Sequence, residues 1–586
     1  MEHRERSKKS ITLKRLWVYI SEYRLTLLII MALNIAANML MLTGPYLAGK
    51  AMGTLGSGPG QVDFDKLIYY CVLMVIMYLS SSILSYFIAR MMIRYSQKII
   101  VNMRRDVFNK FLSLPVDYFD KNQTGELLSR ITYDVDTINT SLSNDVIAVS
   151  TSVVTVIGSL IMMLAISPVL ILVFAVTVPM SFLFTKFITG RTRPLFRKRS
   201  VKLGKMNAYM EEMISGHMTI KSYNRENNVV SKFDEKNDEA VKAYYKSEFM
   251  SGVVGPSINF INNISLTLIG LFGTIMFMNG RINIDAISSF VLYSRKFAGP
   301  INAVANVIGE LQSALAAADR VFSLLDEDNE PADPSDAVEL AEVKGEIEFR
   351  NIYFEYEKDN PIITNFSFTA KPGSVTAIVG PTGAGKTTIV NLLMRYYDPQ
   401  KGRIFIDGKD VTKIRRNSMR KAFTMVLQET WLFNGTISEN IGYAKKDPSD
   451  EEIREAAKSA KIDKFISKLP DGYNTLITDD GLNISSGQKQ LITIARALLA
   501  EAKLLILDEA TSNVDTRTEV QIRKAMLELM SGKTCFVIAH RLSTIKNADN
   551  ILVVKGGNIV EQGTHDELIA GNGFYKEMFE AQFMEI

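Results

Sequence analysis

The sequence predicts an all-α membrane domain of six spanning helices with long cytoplasmic extensions, followed by an α/β domain. Three observations carry that expectation. Long uncharged apolar runs fill the first half of the 586 residues, and the second half has the composition of an ordinary globular domain. From Gly345 to Ile586, strand-like runs alternate with helical ones. Between one such strand and the helical run that follows it stands Gly380-Pro-Thr-Gly-Ala-Gly-Lys386-Thr387, a glycine-rich loop ending in Lys-Thr.

The spans come first. Crossing a hydrocarbon layer takes about 20 mainly apolar residues. Six stretches qualify: Leu25–Leu47, Leu67–Ala89, Val146–Ile166, Val169–Phe187, Gly252–Met278 and Ala286–Ile308. Basic residues set the orientation. Between spans two and three lie Arg90, Arg94, Lys98, Arg104, Arg105, Lys110 and Arg130. Arg191, Arg193, Arg197, Lys198, Arg199, Lys202 and Lys205 lie between spans four and five. Gly49–Lys66 is Gly-rich and sparsely charged, and Ser167–Pro168 is a minimal turn. Both termini are therefore expected in the cytoplasm. The amino end (Arg4, Arg6, Lys8, Lys9) shows no secretory cleavage pattern, so residues 1–24 read as an uncleaved cytoplasmic start with an interfacial helix.

Almost nothing breaks a helical pattern from Leu67 to Leu114, a reach of roughly 70 Å at about 1.5 Å per residue. Spans two to five are thus expected to continue into the cytoplasm as two helical hairpins, with tips near Pro115–Gly125 and Ile220–Glu226. Such hairpins either touch a soluble domain and transmit its movement or serve as passive stalks. The membrane domain is placed at 25–325, an acidic linker at 326–344 and the α/β domain at 345–586.

Composition narrows the function classes. The chain is 47% hydrophobic with net charge +4, which gives no reason to expect a nucleic-acid partner. Cys71 and Cys535 lie far apart without a CxxC or Cys/His cluster, so both read as small buried hydrophobes rather than a disulfide or zinc site. Arg295 and Lys296 fall inside the sixth span, with Asn34, Asn38, Asn259, Asn262, Asn263 and Asn302 in spans one, five and six. Ionisable groups there mark either a polar transport cavity suited to an anionic or amphiphilic cargo, or pairing between helices. The 27 methionines read as an adaptable apolar surface or simply as core.

The loop chemistry is more specific. Glycines let backbone N–H groups converge on phosphate oxygens, and the helix N-terminus adds positive potential. Gly380, Pro381, Thr382, Gly383, Ala384, Gly385, Lys386, Thr387 and Thr388 therefore form the expected phosphate cradle. Lys386 would reach the β- and γ-phosphates of ATP, and the Thr387 hydroxyl would hold Mg²⁺. A second apolar strand, Leu504–Leu507, ends in Asp508-Glu509. Asp508 is placed to hold Mg²⁺ and Glu509 to polarise attacking water as a general base. His540 follows a strand ending at Ala539 and reads as a γ-phosphate sensor or, as lone histidines often are, a structural residue.

Asn483-Ile-Ser-Ser-Gly-Gln-Lys489 resembles the signature helix of ATP-binding-cassette (ABC) proteins, and with the six spans the whole chain resembles a half-transporter of the type IV exporter class. The resemblance implies that Tyr356 stacks on adenine. Gln428 would be the Q-loop glutamine that links Mg²⁺ and water to the membrane helices, and Ser512-Asn-Val-Asp515 the D-loop. It implies coupling helices near Tyr118 and Tyr223, and a head-to-tail dimer in which Ser485, Gly487, Gln488 and Asp515 complete the partner's site. The signature here is Ile484-Ser-Ser-Gly-Gln488, where the family pattern is Leu-Ser-Gly-Gly-Gln, and Asp479-Asp480-Gly481 replaces Glu-Arg-Gly. That asymmetry resembles the catalytic-acid-bearing subunit of heterodimeric bacterial multidrug exporters; a homodimer with a tolerated Gly→Ser change is the alternative. The implied activity is ATP-driven export of amphiphilic small molecules from a bacterial inner membrane. An importer of the same fold and an ATP-gated regulatory membrane protein remain open.

Overall fold

A computed structural model of the protein describes residues 2–583 except 56–61, 429, 479–483, 509–514 and 539–544; the side chains of 2–9, 181, 182, 185, 189, 254, 258, 298, 301–306, 308, 582 and 583 also lie outside the description. The chain forms two compact units. One comprises Met1–Leu112 and Thr124–Glu327; the other comprises Ser113–Gln123 and Asp328–Ile586.

Among the described residues of the first unit, the regular elements are all helices. After α1 (Glu2–Ser21) come α2 (Arg24–Gly53) and α3 (Phe64–Ser113), the latter 50 residues without a break. The short α4 (Val116–Lys121) belongs to the second unit. Then follow α5 (Thr124–Ser129), α6 (Val135–Thr140) and α7 (Val146–Ile166), joined by π-helical turns at Arg130–Asp134 and Ser141–Asp145. The unit ends with α8 (Leu172–Ser215), α9 (His217–Ser222), α10 (Glu226–Met278) and α11 (Ile284–Leu325). The ion pairs Arg199–Glu248 and Lys202–Glu239, both 2.6 Å, show α8 and α10 running antiparallel, since the residue number falls along one helix as it climbs along the other. A buried cluster of Leu42, Met163, Phe174, Phe290 and Tyr293 joins α2, α7, α8 and α11.

Among the described residues, Arg24–Gly53, Phe64–Ser113, Thr124–Ile166 and Glu226–Met278 are long and apolar enough to cross a membrane. The spans expected at 169–187 and 286–308 lie on α8 and α11, whose side chains are partly outside the description. The Gly-rich segment expected to loop from Gly49 instead stays helical to Gly53. A Cβ at Gly49 would lie 1.8 Å from Ser289 Oγ, so its glycine serves a close helix crossing rather than a turn. Cys71 also departs from expectation: it is exposed, among the outward apolar residues Tyr69, Val72, Val75 and Ile76 of α3. An outward apolar face is what a lipid-facing span requires.

Asn34 and Asn38 are both bonded to α7: Asn38 Nδ2 donates to Thr151 Oγ1 at 3.5 Å, and to the Asn34 carbonyl of its own helix at 2.8 Å. Asn34 donates to Ser150 Oγ at 3.0 Å and accepts from Thr151 Oγ1 at 3.1 Å, which ties α2 to α7. Lys296 has an equally local partner. Pro45 lies inside α2 and has no N–H to give the carbonyl four residues back, that of Met41. Lys296 Nζ donates to that carbonyl at 2.6 Å, and Tyr293 Oη donates to the next one, Leu42, also at 2.6 Å. Arg295 is exposed.

The second unit is α/β. Its strands are β1 (Ile347–Glu357), β2 (Asn360–Ala370), β3 (Val375–Val379), β4 (Lys401–Ile406), β5 (Lys409–Asp410) and β6 (Phe423–Val426), then β7 (Gly435–Thr436), β8 (Leu476–Ile477), β9 (Leu504–Asp508), β10 (Thr534–Ile538), β11 (Asn550–Lys555) and β12 (Asn558–Gly563). Ten form one sheet in the order β5-β4-β1-β2-β12-β11-β3-β10-β9-β6, and β7 pairs with β8. Within it β3, β10, β9 and β6 are mutually parallel neighbours. Leu505, Leu507, Cys535 and Val537 face one apolar core, whereas Leu504, Ile506, Phe536 and Ile538 face another. That two-residue alternation between two buried faces explains why these strands are apolar without interruption. Cys535 is completely buried, as expected, and burial pushes its thiol up to about 12.

Besides α4, the helices described in this unit include α12 (Lys386–Leu393), α13 (Arg416–Lys421), α14 (Ile437–Gly442), α15 (Asp450–Ser459), α16 (Asp463–Ile466), α17 (Ser486–Leu499) and α18 (Thr516–Met530), with two short ones after β12. The acidic linker is bound along its length. Glu330 pairs with Arg420 at 2.5 Å, Asp333 with Arg416 at 3.1 Å, and Glu339 with Arg415 at 3.1 Å. Its carboxylates thus match the basic face of α13, so 328–344 packs as part of the second unit.

Candidate active site

Parallel strands place the candidate residues together. β3, β6, β9 and β10 all point the same way, so the chain leaving each of them emerges on one edge of the sheet. That edge, at the carboxyl ends of parallel strands, is where α/β sheets bind ligands. β3 leads into Gly380, β6 into Gln428, and β9 ends at Asp508. β10 leads toward His540, which with Glu509, Asp479–Asn483 and Ser512–Val514 lies outside the described residues.

The loop after β3 is shaped by its glycines. Gly380 has φ +155° and a Cβ there would lie 2.1 Å from the Val554 carbonyl oxygen, so only glycine lets β11 pass this close. Gly385, at φ +98°, turns the chain into the first turn of α12. Pro381, Thr382, Gly383 and Thr387 are exposed, whereas Ala384 and Thr388 are buried. Lys386 Nζ folds over the loop and donates to the Gly380 and Pro381 carbonyls at 2.7 and 3.0 Å. Burial pulls the Lys386 ammonium below its usual range, and the nearby Asp508 carboxylate opposes that pull. The same interaction brings the cation of the loop and the acid of β9 into one electrostatic neighbourhood.

Tyr356, near the end of β1, reaches the same helix. Its hydroxyl donates to Thr388 Oγ1 at 3.3 Å and accepts from Asn391 Nδ2 at 3.1 Å. Tyr356 as a residue remains 38% exposed, which leaves it accessible to a planar ligand. Tyr356, Lys386, Thr388 and Asp508 are therefore linked by contacts within this chain, and Gln428 sits exposed on the same sheet edge.

Ser485, Gly487 and Gln488 are organised separately. Ser485 caps α17: its Oγ accepts from Gln488 N at 3.3 Å while Gln488 Oε1 accepts from Ser485 N at 3.0 Å. Among the described residues no hydrogen bond joins these three to the loop 380–388. Ser486 is the first residue of that helix and is exposed, so the departure from glycine leaves the cap intact. Asp515 caps α18, accepting from the backbone N–H groups of Arg517 and Thr518 at 3.1 and 3.0 Å. A hydrogen bond from the Thr518 side chain, with those from the backbone of Thr518 and Arg517, holds its carboxyl below the usual range.

Two further residues position the chain after Gln428, and neither was singled out from sequence. Asn440 in α14 donates to the Phe433 carbonyl at 2.9 Å and accepts from Phe433 N at 2.8 Å. Arg496 in α17 donates to the carbonyls of Asn440 and Trp431, at 2.8 and 3.1 Å. The signature helix and the chain beyond Gln428 are thereby held as one piece. An arginine on an otherwise apolar helix face was the available signal for Arg496.

With this geometry in view, similarity to known proteins decides the family. Residues 27–301 match the model of the ABC transporter transmembrane region, and residues 363–512 match that of the ABC transporter proper. An ABC transporter ATP-binding protein of Bacillus subtilis is 42% identical over 98% of this chain and 94% of its own length. The chain belongs to the ABC exporter family. As an ABC exporter half, it is a multi-pass membrane protein and a transport-coupled ATPase whose second unit binds ATP. The fatty acid ABC transporter ATP-binding/permease protein of Mycobacterium bovis is 45% identical over 89% of this ABC exporter chain and 83% of its own length. The ATP-dependent lipid A-core flippase of Photorhabdus laumondii is 36% identical, covering 98% of each chain. A bacterial Atm1-family ABC exporter solved with ATP bound superposes with TM-score 0.75 at 30% identity, over 97% of this chain and 98% of that one.

Proposed function

We propose that the chain is one half of a dimeric exporter that uses ATP to move an acyl-bearing amphiphile across a bacterial inner membrane by alternating access, with both termini cytoplasmic. The observation that carries the chemistry is the single sheet edge that gathers Lys386, Gln428 and Asp508. Exchanging its two loop carbonyls for phosphate oxygens would bring Lys386 onto the β- and γ-phosphates. The Thr387 hydroxyl and the Asp508 carboxylate are hard oxygen donors beside that position, a set suited to Mg²⁺. Mg²⁺ held there would offset charge developing on the phosphates. Glu509 would take the proton of the attacking water, His540 would contact the γ-phosphate, and Gln428 would report that contact along the segment that Asn440 and Arg496 anchor.

Support for a second chain comes from surfaces the chain leaves exposed. Ser485 and Ser486 face outward at the start of α17, and the second hairpin tip exposes Ile214, Met218 and Tyr223. ATP would bridge one chain's loop and the other's signature helix, binding the closed dimer better than the open one. The Ser486 and Asp479-Asp480 departures favour a heterodimer. In it, this chain supplies the acid, base and sensor of the competent site, and its own signature completes the weaker one.

The cargo class follows from the relatives that act on fatty acids and lipid A-core, together with an open apolar groove of about 580 Å³ in the first unit. Met180, Phe184, Val253, Pro256, Phe260 and Ile264 are among its lining residues, surroundings that suit a hydrocarbon chain. Inside-out vesicles should accumulate radiolabelled oleate with ATP, and Glu509→Gln should stop it. ATP-dependent uptake only in right-side-out vesicles would make the protein an importer. Hydrolysis with no movement of oleate or a lipid would favour a regulatory role.

A further inference from the structure

The segment Ser113–Gln123 packs with the nucleotide-binding unit rather than with the helices on either side of it in sequence. Its only helix, α4, is six residues long, too short to hold its shape or position unaided. Two of its charged residues, Asp117 and Lys121, pair with each other at 2.7 Å. The remaining acid, Asp120, accepts a hydrogen bond at 2.6 Å from the hydroxyl of Tyr397.

Tyr397 follows α12, the helix that opens with Lys386, by four residues. Its ring meets that of Tyr356 edge-on, with centroids 5.0 Å apart and planes at 90°. Phe354 closes the group, 4.8 Å from Tyr356 and 5.6 Å from Tyr397, again edge-on to both. Phe354 is only 2% exposed, so it cannot give way. Close-packed rings transmit displacement rather than absorb it. A shift of Tyr356 therefore passes to Tyr397, the one ring of the three whose far end holds the coupling segment. The tyrosine hydroxyl remains a donor at physiological pH, because burial and the Asp120 carboxylate both push the phenol up.

We infer that Tyr397 is a positioning residue that makes α4 respond to occupancy of the base site, so that this coupling helix senses adenine whether or not a γ-phosphate is present. The inference rests on reading Tyr356 as the residue that stacks on adenine. It separates two signals: the base is read at Asp120 through a ring cluster, and the γ-phosphate is read on the sheet edge.

Hydrogen–deuterium exchange of the full-length protein in lipid nanodiscs tests it, with ADP, ATP or inorganic tripolyphosphate as the added ligand. ADP should slow exchange of residues 113–123 in the unmodified protein, as ATP does, and tripolyphosphate should not. Tyr397→Phe keeps the rings and removes the hydroxyl; Asp120→Ala removes the acceptor. Each should lose the ADP effect while ADP affinity stays within about twofold. Asp120→Asn, which keeps an acceptor oxygen, should retain it, and the double variant Tyr397→Phe/Asp120→Ala should be no worse than either single one. Absence of an ADP effect in the unmodified protein, an equal effect of tripolyphosphate, or survival of the effect in Tyr397→Phe overturns the inference. The underlying reading fails separately, if Tyr356→Ala binds ADP as tightly as the unmodified protein.

Discussion

Lys386 shows how much one side chain can be asked to do. In the chain it bonds to two carbonyls of its own loop and feels the Asp508 carboxylate. Replacing it with alanine removes the positive charge at the phosphate position without touching the core, so Lys386→Ala should fold, bind ATP weakly and hydrolyse almost none. A phosphate-release assay together with nucleotide titration checks both halves. Tyr356 makes a different kind of contribution. Aromatic stacking on a base contributes about 1–3 kcal/mol, so Tyr356→Ala should raise the ATP dissociation constant roughly five- to hundred-fold and leave turnover at saturating ATP nearly unchanged. A fall in turnover with unchanged affinity would remove Tyr356 from the base site. Lys386 was singled out by the glycine-rich loop that holds it, and Tyr356 only by the family resemblance. Arg496 and Tyr397 were not, since their partners, Trp431 and Asp120, are distant in the chain.

At the scale of elements, helices and turns show where local pattern is enough and where it is not. Ser449 and Glu452 form a reciprocal cap on α15, with bonds of 3.2 and 2.9 Å. Ser449→Ala should cost about 1 kcal/mol, seen as a lower melting temperature of the nucleotide-binding unit. The bond from Lys296 to Met41 is a harder case. From sequence, a lysine within a span marks either a transport cavity or pairing between helices; in the structure its ammonium occupies the carbonyl that Pro45 leaves without a donor. Lys296→Met should then destabilise by about 1–3 kcal/mol through an unsatisfied acceptor. The loss should shrink in a Pro45→Ala background, where the helix supplies its own N–H. Equal losses in both backgrounds, measured by thermal unfolding in detergent, would return Lys296 to the list of cargo-contact candidates. The register of α2 past Gly49 was equally beyond local reading, because a neighbouring helix at Ser289, not the glycine itself, decides it.

For the whole molecule, the second chain is the open consequence. Lys386, Gln428 and Asp508 sit on one sheet edge, and among the described residues Ser485, Gly487 and Gln488 form no hydrogen bond with the phosphate loop in this chain. On the heterodimer proposed from the Ser486 departure, the purified chain alone should show little cooperative turnover, and a co-expressed partner with an intact Leu-Ser-Gly-Gly-Gln signature should restore it. Robust cooperative hydrolysis by the chain alone would sink the heterodimer and leave a homodimer in its place.

By itself the sequence determined the order of the two parts, the long unbroken helix to Ser113 and the phosphate loop with its flanking strand and helix. These follow from hydrophobic period, run length and glycine placement, which act over a few residues to a few turns. Tertiary structure alone decided that Asp120 of α4 meets Tyr397, that the linker acids meet the arginines of α13, and that Lys296 serves Met41. Each of those joins groups far apart in the chain, and their pairing is set by which surfaces the packed elements bring within hydrogen-bond reach.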